Sequence, residues 1–158
     1  MKKKAFLLFH LNLFFSSVEE KDRFKIIKNC YYPILKIPLL FNIPVNLEAS
    51  ANTLLEIKKL DKNFIELLKN LISKNLVNLI GSGYNQIISP ITPEEINDQN
   101  LKIGNRYYKK ILGFKPKIAL VNEMAYSKDL IHNDKAIRGS ADWVVVVLFN
   151  RHWKKKIP

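Results

Sequence analysis

The order of the predicted secondary-structure elements constrains the fold more than any other feature of this sequence. Apolar, β-branched segments alternate with amphipathic segments of helical periodicity along the whole chain. No two predicted strands are close enough in sequence to form a hairpin, so every connection between strands must be a crossover. This alternation predicts an α/β fold with a parallel sheet, either an open sheet or a barrel. The predicted strands span residues 5–10, 45–48, 76–80, 117–121 and 143–149.

The alternation predicts a helix between each pair of successive strands, and three of these four helices have bounds that the sequence indicates. A charged amphipathic stretch covers residues 18–36, and apolar side chains recur at three- and four-residue spacing over residues 61–74. The third helix starts at Thr92-Pro93-Glu94-Glu95 and runs to Leu112 before Gly113. Thr92 is the expected cap, Pro93 suits the first helical position, and Glu95 completes a capping box. We find no internal repeat or linker, which predicts one domain over residues 1–158.

The first seventeen residues, MKKKAFLLFHLNLFFSS, permit two interpretations. Three lysines before an apolar run resemble a secretory signal peptide, but the same run resembles a buried strand. His10 and Asn12 are unusual in the apolar part of a signal peptide, and residues 14–18 offer no small-x-small cleavage site. We therefore expect the segment to be retained as the central first strand. The single Cys30 permits no disulfide, is predicted to be buried, and fits a cytoplasmic protein.

The composition argues against nucleic-acid and membrane partners. The formal net charge is +12, but 22 of the 26 basic residues are Lys, and they are spread along every segment. Proteins that bind phosphates and bases in a bidentate manner favour Arg. No apolar run reaches the roughly eighteen residues that a membrane span requires. We therefore expect neither partner, and the sequence leaves the oligomeric state open.

Polar side chains follow four of the predicted strands, at the edge where parallel α/β folds place their sites. Three of these residues have a purely structural explanation as well. His10 could be a hydrogen-bonded structural residue, Glu48 a helix cap, and Glu123 the partner of a lysine. Glu123 is the hardest to explain structurally, because it follows a buried strand and should emerge where the sheet ends. The polar candidates are His10, Asn12, Glu48, Ser82, Tyr84, Gln86, Asn122, Glu123 and Tyr126.

Several chemistries do not fit these residues. His10, His132 and His152 lack the spacing of a metal-dependent deacetylase, so no metal is expected. Gly81-Ser82-Gly83 is neither a nucleophile elbow nor a P-loop, and it lacks the third glycine of a dinucleotide fingerprint. Carboxylate chemistry remains, in a site rich in Tyr, Asn and Gln. Such a site suits a neutral, polyhydroxylated substrate, and glycoside hydrolysis needs two carboxyl groups.

Three stretches of this sequence resemble the first motif blocks of glycoside hydrolase family 57, in particular its polysaccharide-deacetylase-like members. They occur in the family's order within residues 5–132. In the first block the family often has His-Gln-Pro where this chain has His10-Leu11-Asn12. The stretches are Phe9-His10-Leu11-Asn12-Leu13, Gly81-Ser82-Gly83-Tyr84-Asn85-Gln86-Ile87-Ile88-Ser89-Pro90 and Val121-Asn122-Glu123-Met124-Ala125-Tyr126-Ser127.

The resemblance implies the front part of an incomplete (β/α)7 barrel that hydrolyses or transfers α-glucan with retention and without a cofactor. Glu123 would be the nucleophile, and His10, Ser82, Tyr84 and Gln86 would lie in substrate-binding subsites. The family's acid/base is an Asp in a later block, which this chain does not contain. Residues 133–158 also depart from the family pattern. The resemblance therefore implies a truncated or disrupted domain.

The residues leave several functions open. An enzyme acting on polysaccharide is the first hypothesis, and a non-catalytic carbohydrate-binding remnant is the second. A basic protein associated with nucleic acid is the third. The sequence does not separate hydrolysis, transfer and deacetylation.

Overall fold

The strands of this protein form one parallel sheet. The computed structural model describes residues 7–125 and the backbone of Val144–Val146. Each described strand pairs with the next one in sequence, in the order β1-β2-β3-β4-β5. This is the strand order of a β/α barrel, whereas a doubly wound open sheet reverses its order at a switch point. The strands are β1 (Leu8–Leu11), β2 (Val45–Ala49), β3 (Val77–Gly81), β4 (Ile118–Leu120) and β5 (Val144–Val146).

The strand β1 lies at one edge of the described sheet. It pairs only with β2 there, so the prediction of a central first strand is wrong for this part of the chain. The reason is topological, because in sequential pairing the first strand gains a second neighbour only when the last strand closes the barrel. Leu11 and Leu13 are nonetheless buried in the core, so this segment is part of the fold. Residues 1–6, with the lysines of the predicted signal-like region, lie outside the described residues.

A long helical segment connects β1 to β2. It consists of α1 (Arg23–Ile26), a π-helical turn (Ile27–Tyr31) and α2 (Tyr32–Phe41). Pro33 has no N–H and its ring would clash with the carbonyl four residues earlier, which explains the wider turn just before it. The segment passes its predicted end and stops at Asn42, which has φ 52° and caps the helix in the left-handed conformation.

Cys30 is exposed, which corrects the prediction that it is buried. The buried side chains of this part of the helix are Ile27, Tyr31 and Leu35. In a regular α-helix Cys30 would lie close to the face of Ile27. The π turn contains more residues per turn, so the third residue after Ile27 rotates away from the buried face.

Two helices, α3 (Ala51–Leu60) and α4 (Lys62–Ser73), connect β2 to β3. The sequence predicts only α4, which is capped by Asp61 through the N–H groups of Asn63 and Phe64 at 3.1 and 3.3 Å. The unpredicted α3 is capped by Ser50, which accepts from the N–H of Thr53 at 3.2 Å. Ser50, and not Glu48, therefore caps the helix that follows β2.

The helix α5 (Glu94–Leu112) connects β3 to β4 and ends at Gly113, which has φ 91° as its predicted role requires. Its predicted capping box does not form. Pro93 is the capping residue, and the Thr92 hydroxyl instead donates to the carbonyl of Ile88 at 2.8 Å. Thr92 is engaged in this way because a 3₁₀ turn, Ser89–Ile91, immediately precedes it.

The core lies between the sheet and the packed helices α2, α3, α4 and α5. Phe64, Leu68 and Leu71 on α4 have no exposed surface, which confirms the apolar face predicted from their spacing. Within residues 7–125, no helix combines the length and the apolar character that crossing a membrane requires.

Candidate functional site

The site begins with the register of the first two strands. His10 and Glu48 are directly paired residues of parallel neighbours, so their side chains leave the sheet on the same side. The Nδ1 atom of His10 contacts Oε2 of Glu48. The side chain of Glu48 has 0% exposed surface, whereas that of His10 is 52% exposed. Glu48 therefore contacts its neighbours in the protein and presents His10 to solvent.

Gln86, from the loop after β3, joins the pair. Its Nε2 atom lies 3.1 Å from Nε2 of His10 and donates to both carboxylate oxygens of Glu48, at 3.1 and 3.3 Å. Its Oε1 atom accepts from Nδ2 of Asn12 at 2.6 Å. Rotating the Gln86 amide by half a turn would bring its oxygen against the Glu48 carboxylate, so the carboxylate defines the orientation of the amide. We call His10, Asn12, Glu48 and Gln86 the polar cluster.

These contacts indicate which nitrogen of a neutral His10 ring carries the proton. The Nδ1–H group donates to Glu48, and Nε2 accepts from the Gln86 amide, which corresponds to a neutral ring. The hydrogen bond with Glu48 raises the pKa of His10 above its ordinary value of 6.5, against the effect of partial burial. The charges of Glu48 and Glu123 act in the same direction. The charge of Glu123 therefore reaches the polar cluster.

Glu123 follows β4 and has an unusual backbone. It is exposed and has φ 56° and ψ 16°, in the left-handed region. The other non-glycine residues with positive φ in residues 7–125 are Asn42 and Asn75, and Asn tolerates this conformation far better than Glu does. Strain of this kind is often kept at functional positions. It marks Glu123 as a candidate independently of sequence motifs.

The loop that carries Gln86 is tied to two strands by one buried hydroxyl. The Oη atom of Tyr108, on α5, donates to the carbonyl of Ala49 at 2.6 Å and accepts from the N–H of Ser82 at 3.1 Å. The carbonyl of Gly83 also lies 3.1 Å from this hydroxyl. Tyr108 is fully buried, and burial raises the pKa of its phenol far above the ordinary value. It therefore remains a neutral donor that joins the ends of β2 and β3.

Helices α3 and α5 both hold this loop through hydrogen bonds to its backbone. The N–H groups of Ala51 and Asn52, at the start of α3, donate to the carbonyls of Gly83 and Tyr84 at 3.0 Å each. These are N–H groups that have no partner within the helix, so the loop satisfies them. On α5, Asn100 accepts from the N–H of Asn85 at 2.8 Å and donates to its carbonyl at 3.0 Å.

A glycine in α5 makes this close approach possible. A Cβ atom at Gly104 would lie 2.5 Å from the carbonyl carbon of Gly83 and 2.6 Å from the nitrogen of Tyr84. Helix and loop backbones are thus in direct contact. The position of Gln86 is determined by packing over a large part of the fold.

The structure brings some of the predicted site residues together and leaves others apart. His10, Asn12, Glu48 and Gln86 are in contact, and Asn122 donates from Nδ2 to the carbonyl of Ile87 at 3.1 Å, which ties the end of β4 to the Gln86 loop. Tyr126 lies outside the described residues.

Two predicted residues point elsewhere. The ring of Tyr84 packs on Tyr107 of α5 with 5.3 Å between centroids, and no hydrogen bond within residues 7–125 joins its side chain to the polar cluster. The Ser82 hydroxyl is buried without a hydrogen-bond partner among the same residues.

Sequence reasoning missed Tyr108, Asn100, Asn52 and Gly104, which hold the loop. Gly104 offered the one available signal, since a glycine inside a helical pattern often marks a close backbone contact. The other three are ordinary helix residues until the tertiary structure places them. Within residues 7–125 no three His, Cys, Asp or Glu side chains lie together as metal ligands would.

A parallel sheet in barrel order, with a carboxylate and a polar cluster at the carboxyl ends of its strands, defines the class of β/α-barrel domains whose site lies in the loops after the strands. The sequence profile of glycosyl hydrolase family 57 matches residues 4–138. The chain belongs to this family, as the resemblance of its motifs implies.

A solved structure confirms the fold class. The chain is similar to the 4-α-glucanotransferase from Thermococcus litoralis, with a TM-score of 0.72 and 22% sequence identity. The match covers 89% of this chain and 22% of that chain, so this chain spans about a fifth of the length of that enzyme. No curated protein matches the sequence.

Proposed function

We propose that this chain forms the front part of a catalytic domain that acts on α-glucan with retention, as a hydrolase or a glucan transferase. The observation that carries the proposal is the position of Glu123. Its exposed carboxylate follows β4 in a strained backbone conformation, close enough to His10 to raise the pKa of the imidazole. Membership of glycosyl hydrolase family 57 supports the reaction class, and the glucanotransferase with the same fold supports the substrate class.

In this mechanism Glu123 is the nucleophile. Its carboxylate attacks the anomeric carbon and forms a covalent glycosyl–enzyme bond while the glycosidic C–O bond breaks. An acid gives a proton to the leaving oxygen, and its conjugate base then removes a proton from the water or the sugar hydroxyl that displaces Glu123. Transfer and hydrolysis differ only in which acceptor attacks in the second step.

The polar cluster binds substrate in this proposal, and Glu48 acts through its neighbours. The half-exposed ring of His10 and the second Nδ2 proton of Asn12 suit contacts with a sugar, whereas Glu48 is fully buried and accepts from His10 and Gln86. Glu48 is therefore a positioning residue and is unsuited to protonate a leaving group. We propose that the acid/base lies outside residues 7–125.

An activated substrate tests the nucleophile without the acid. Fluoride leaves with little need for protonation, so 5-fluoro-α-glucosyl fluoride should leave a glycosyl adduct on the wild-type chain, found by intact mass and located by peptide mapping. We expect the adduct on Glu123 and none in the Glu123→Gln variant. Glu66→Gln, which changes an exposed glutamate on α4, is the matched control and should be labelled like wild type.

Labelling at another carboxylate, or none in the wild-type chain, would contradict the assignment of Glu123. Saturable binding of maltose without labelling would instead identify a carbohydrate-binding domain.

A further inference from the structure

A small cleft opens beside the polar cluster. It has a volume of about 220 Å³ and is lined by Asn12, Phe14, Ser50, Asn85 and Gln86. Asn12 and Gln86 belong to the polar cluster, so the cleft is continuous with it. The volume is below the roughly 300 Å³ at which pockets for drug-sized ligands begin. It suits a single sugar ring.

The lining of this cleft carries no charge. All five lining side chains are neutral, in a chain with a formal net charge of +12 in which 25% of residues are charged. A site for phosphate, carboxylate or a metal ion would present charged groups. The ligand that this lining fits is uncharged and bears hydroxyl groups.

Phe14 supplies an aromatic surface that is held in place. Its side chain is 41% exposed, and the Arg23 guanidinium lies over the ring, 4.6 Å from its centroid. Arg23 is in turn paired with Glu56 at 3.2 Å, and the N–H of Phe14 donates to Oδ1 of Asn12 at 2.9 Å. Because Arg23 covers one face, the other is the face available to a ligand. The C–H face of a pyranose is the usual partner of such a surface.

Asn85 supplies an oriented hydrogen-bond donor. Its backbone is held on both sides by Asn100, and its Oδ1 accepts from Nδ2 of Asn52 at 3.0 Å. With the oxygen engaged, the amide plane is defined. The Nδ2 group donates to no other residue in 7–125 and remains available to a sugar hydroxyl.

We infer that this cleft is a subsite for one uncharged pyranose ring, stacked on Phe14 and hydrogen-bonded by Asn85. The inference rests on the proposed function for the class of ligand, and it adds two residues that the mechanism does not use. Neither residue takes part in bond breaking, so binding at this subsite does not require Glu123.

The test is a titration of the isotope-labelled 158-residue chain with maltose, followed by NMR. Maltose should shift the side-chain amide signals of Asn85 and Gln86 with a saturable curve. Phe14→Ala should weaken the affinity about three- to tenfold, the range expected for loss of an aromatic contact. Phe14→Trp should retain the affinity.

Phe24→Ala is the matched control, because Phe24 is 48% exposed and also lies under a cation, Lys28, at 5.2 Å. It should bind maltose like wild type. Equal losses in Phe14→Ala and Phe24→Ala, an unchanged affinity in Phe14→Ala, or glucuronate binding as tightly as maltose would overturn the inference. So would the lack of saturable binding.

The two proposals fail separately. If 5-fluoro-α-glucosyl fluoride labels Glu123 while Phe14→Ala binds maltose normally, the subsite is wrong and the proposed function stands. If maltose binding depends on Phe14 but no adduct forms, the subsite stands and the nucleophile is wrong.

Discussion

The protonation state of His10 and the arrangement of the polar cluster are coupled. Its Nδ1–H donates to buried Glu48, and its Nε2 accepts from the Gln86 amide. Protonation of Nε2 would bring two donors together, so the contact with Gln86 must break or the amide must turn. Gln86 also holds Asn12, at 2.6 Å, and the protonation state of His10 therefore affects the arrangement of the whole polar cluster.

We expect Glu48→Gln to lower the pKa of His10 toward 6.5, because Glu48 is the main cause of its elevation. A raised pKa stabilises the folded protein fully below the unfolded value, and this contribution is lost as the pH rises through the folded value. The extra stability of wild type over Glu48→Gln should therefore decrease above pH 6.5.

NMR titration of the imidazole signals, assigned with a His10→Asn variant, measures the shift, and thermal melts across the same pH range measure the stability. Glu66→Gln should leave both unchanged. A pKa of His10 that is the same in wild type and Glu48→Gln would contradict the coupling.

Helix α5 determines where the loop after β3 lies. Three of its residues contact successive parts of the loop. Asn100 accepts from the N–H of Asn85, Gly104 packs against the Gly83 backbone, and the Tyr108 hydroxyl accepts from the N–H of Ser82. They are spaced four residues apart and so form one face of the helix. Helix α5 carries no predicted site residue, yet it contributes to the position of the loop that contains Gln86.

Replacing Gly104 by Ala should destabilise the protein by about 1–3 kcal/mol, the usual cost of overpacking. At a solvent-exposed helix position the same change would stabilise the protein by about 0.5–1 kcal/mol. The sign of the change in the free energy of unfolding therefore shows whether position 104 is packed against the loop or exposed. The expected cause is the clash of Cβ with the Gly83 and Tyr84 backbone at 2.5 and 2.6 Å.

Denaturant unfolding gives the free energy, and Gln99→Ala, an exposed change on the same helix, is the control and should have little effect. A Gly104→Ala variant that is more stable than wild type would show that α5 and the loop are not in close contact.

As a whole, the described part of the molecule supplies one side of the proposed catalytic site. Within residues 7–125, the only carboxylate in the polar cluster is that of Glu48, which is buried. A retaining mechanism needs a second carboxyl group about 5–5.5 Å from the nucleophile, in contact with the leaving oxygen. The outer edge of β1 has no neighbouring strand in the described sheet.

We therefore expect the 158-residue chain to turn over unactivated α-glucan very slowly while still reacting with the glycosyl fluoride. General acid catalysis commonly raises the rate by about 10²–10⁴-fold. Unactivated α-glucan depends on it because its leaving group is poor, whereas the glycosyl fluoride does not. Release of reducing sugar and release of fluoride measure the two reactions, each with Glu123→Gln as the control. Robust turnover of α-glucan that disappears in Glu123→Gln would show that the chain contains a complete site.

Local signals in the sequence were sufficient for the strands, for helices such as α4 and α5, and for the parallel α/β fold. Strand periodicity, the apolar face of α4 and the glycine after α5 depend on neighbours within a few residues, which explains their accuracy. His10, Glu48, Gln86 and Glu123 were recognisable because each lies at or after the carboxyl end of a strand, and parallel strands place these ends at one edge.

Only the tertiary structure decided how these side chains are used. The register of β1 against β2 pairs His10 with Glu48, and contacts of Gln86 with residues far away in sequence determine which of its amide atoms faces the carboxylate. The burial of Glu48, the attachment of the loop to Tyr108 and the ring of Phe14 under Arg23 are likewise long-range contacts. Such contacts leave little local pattern, because the partners are selected by packing across the fold rather than by adjacent residues.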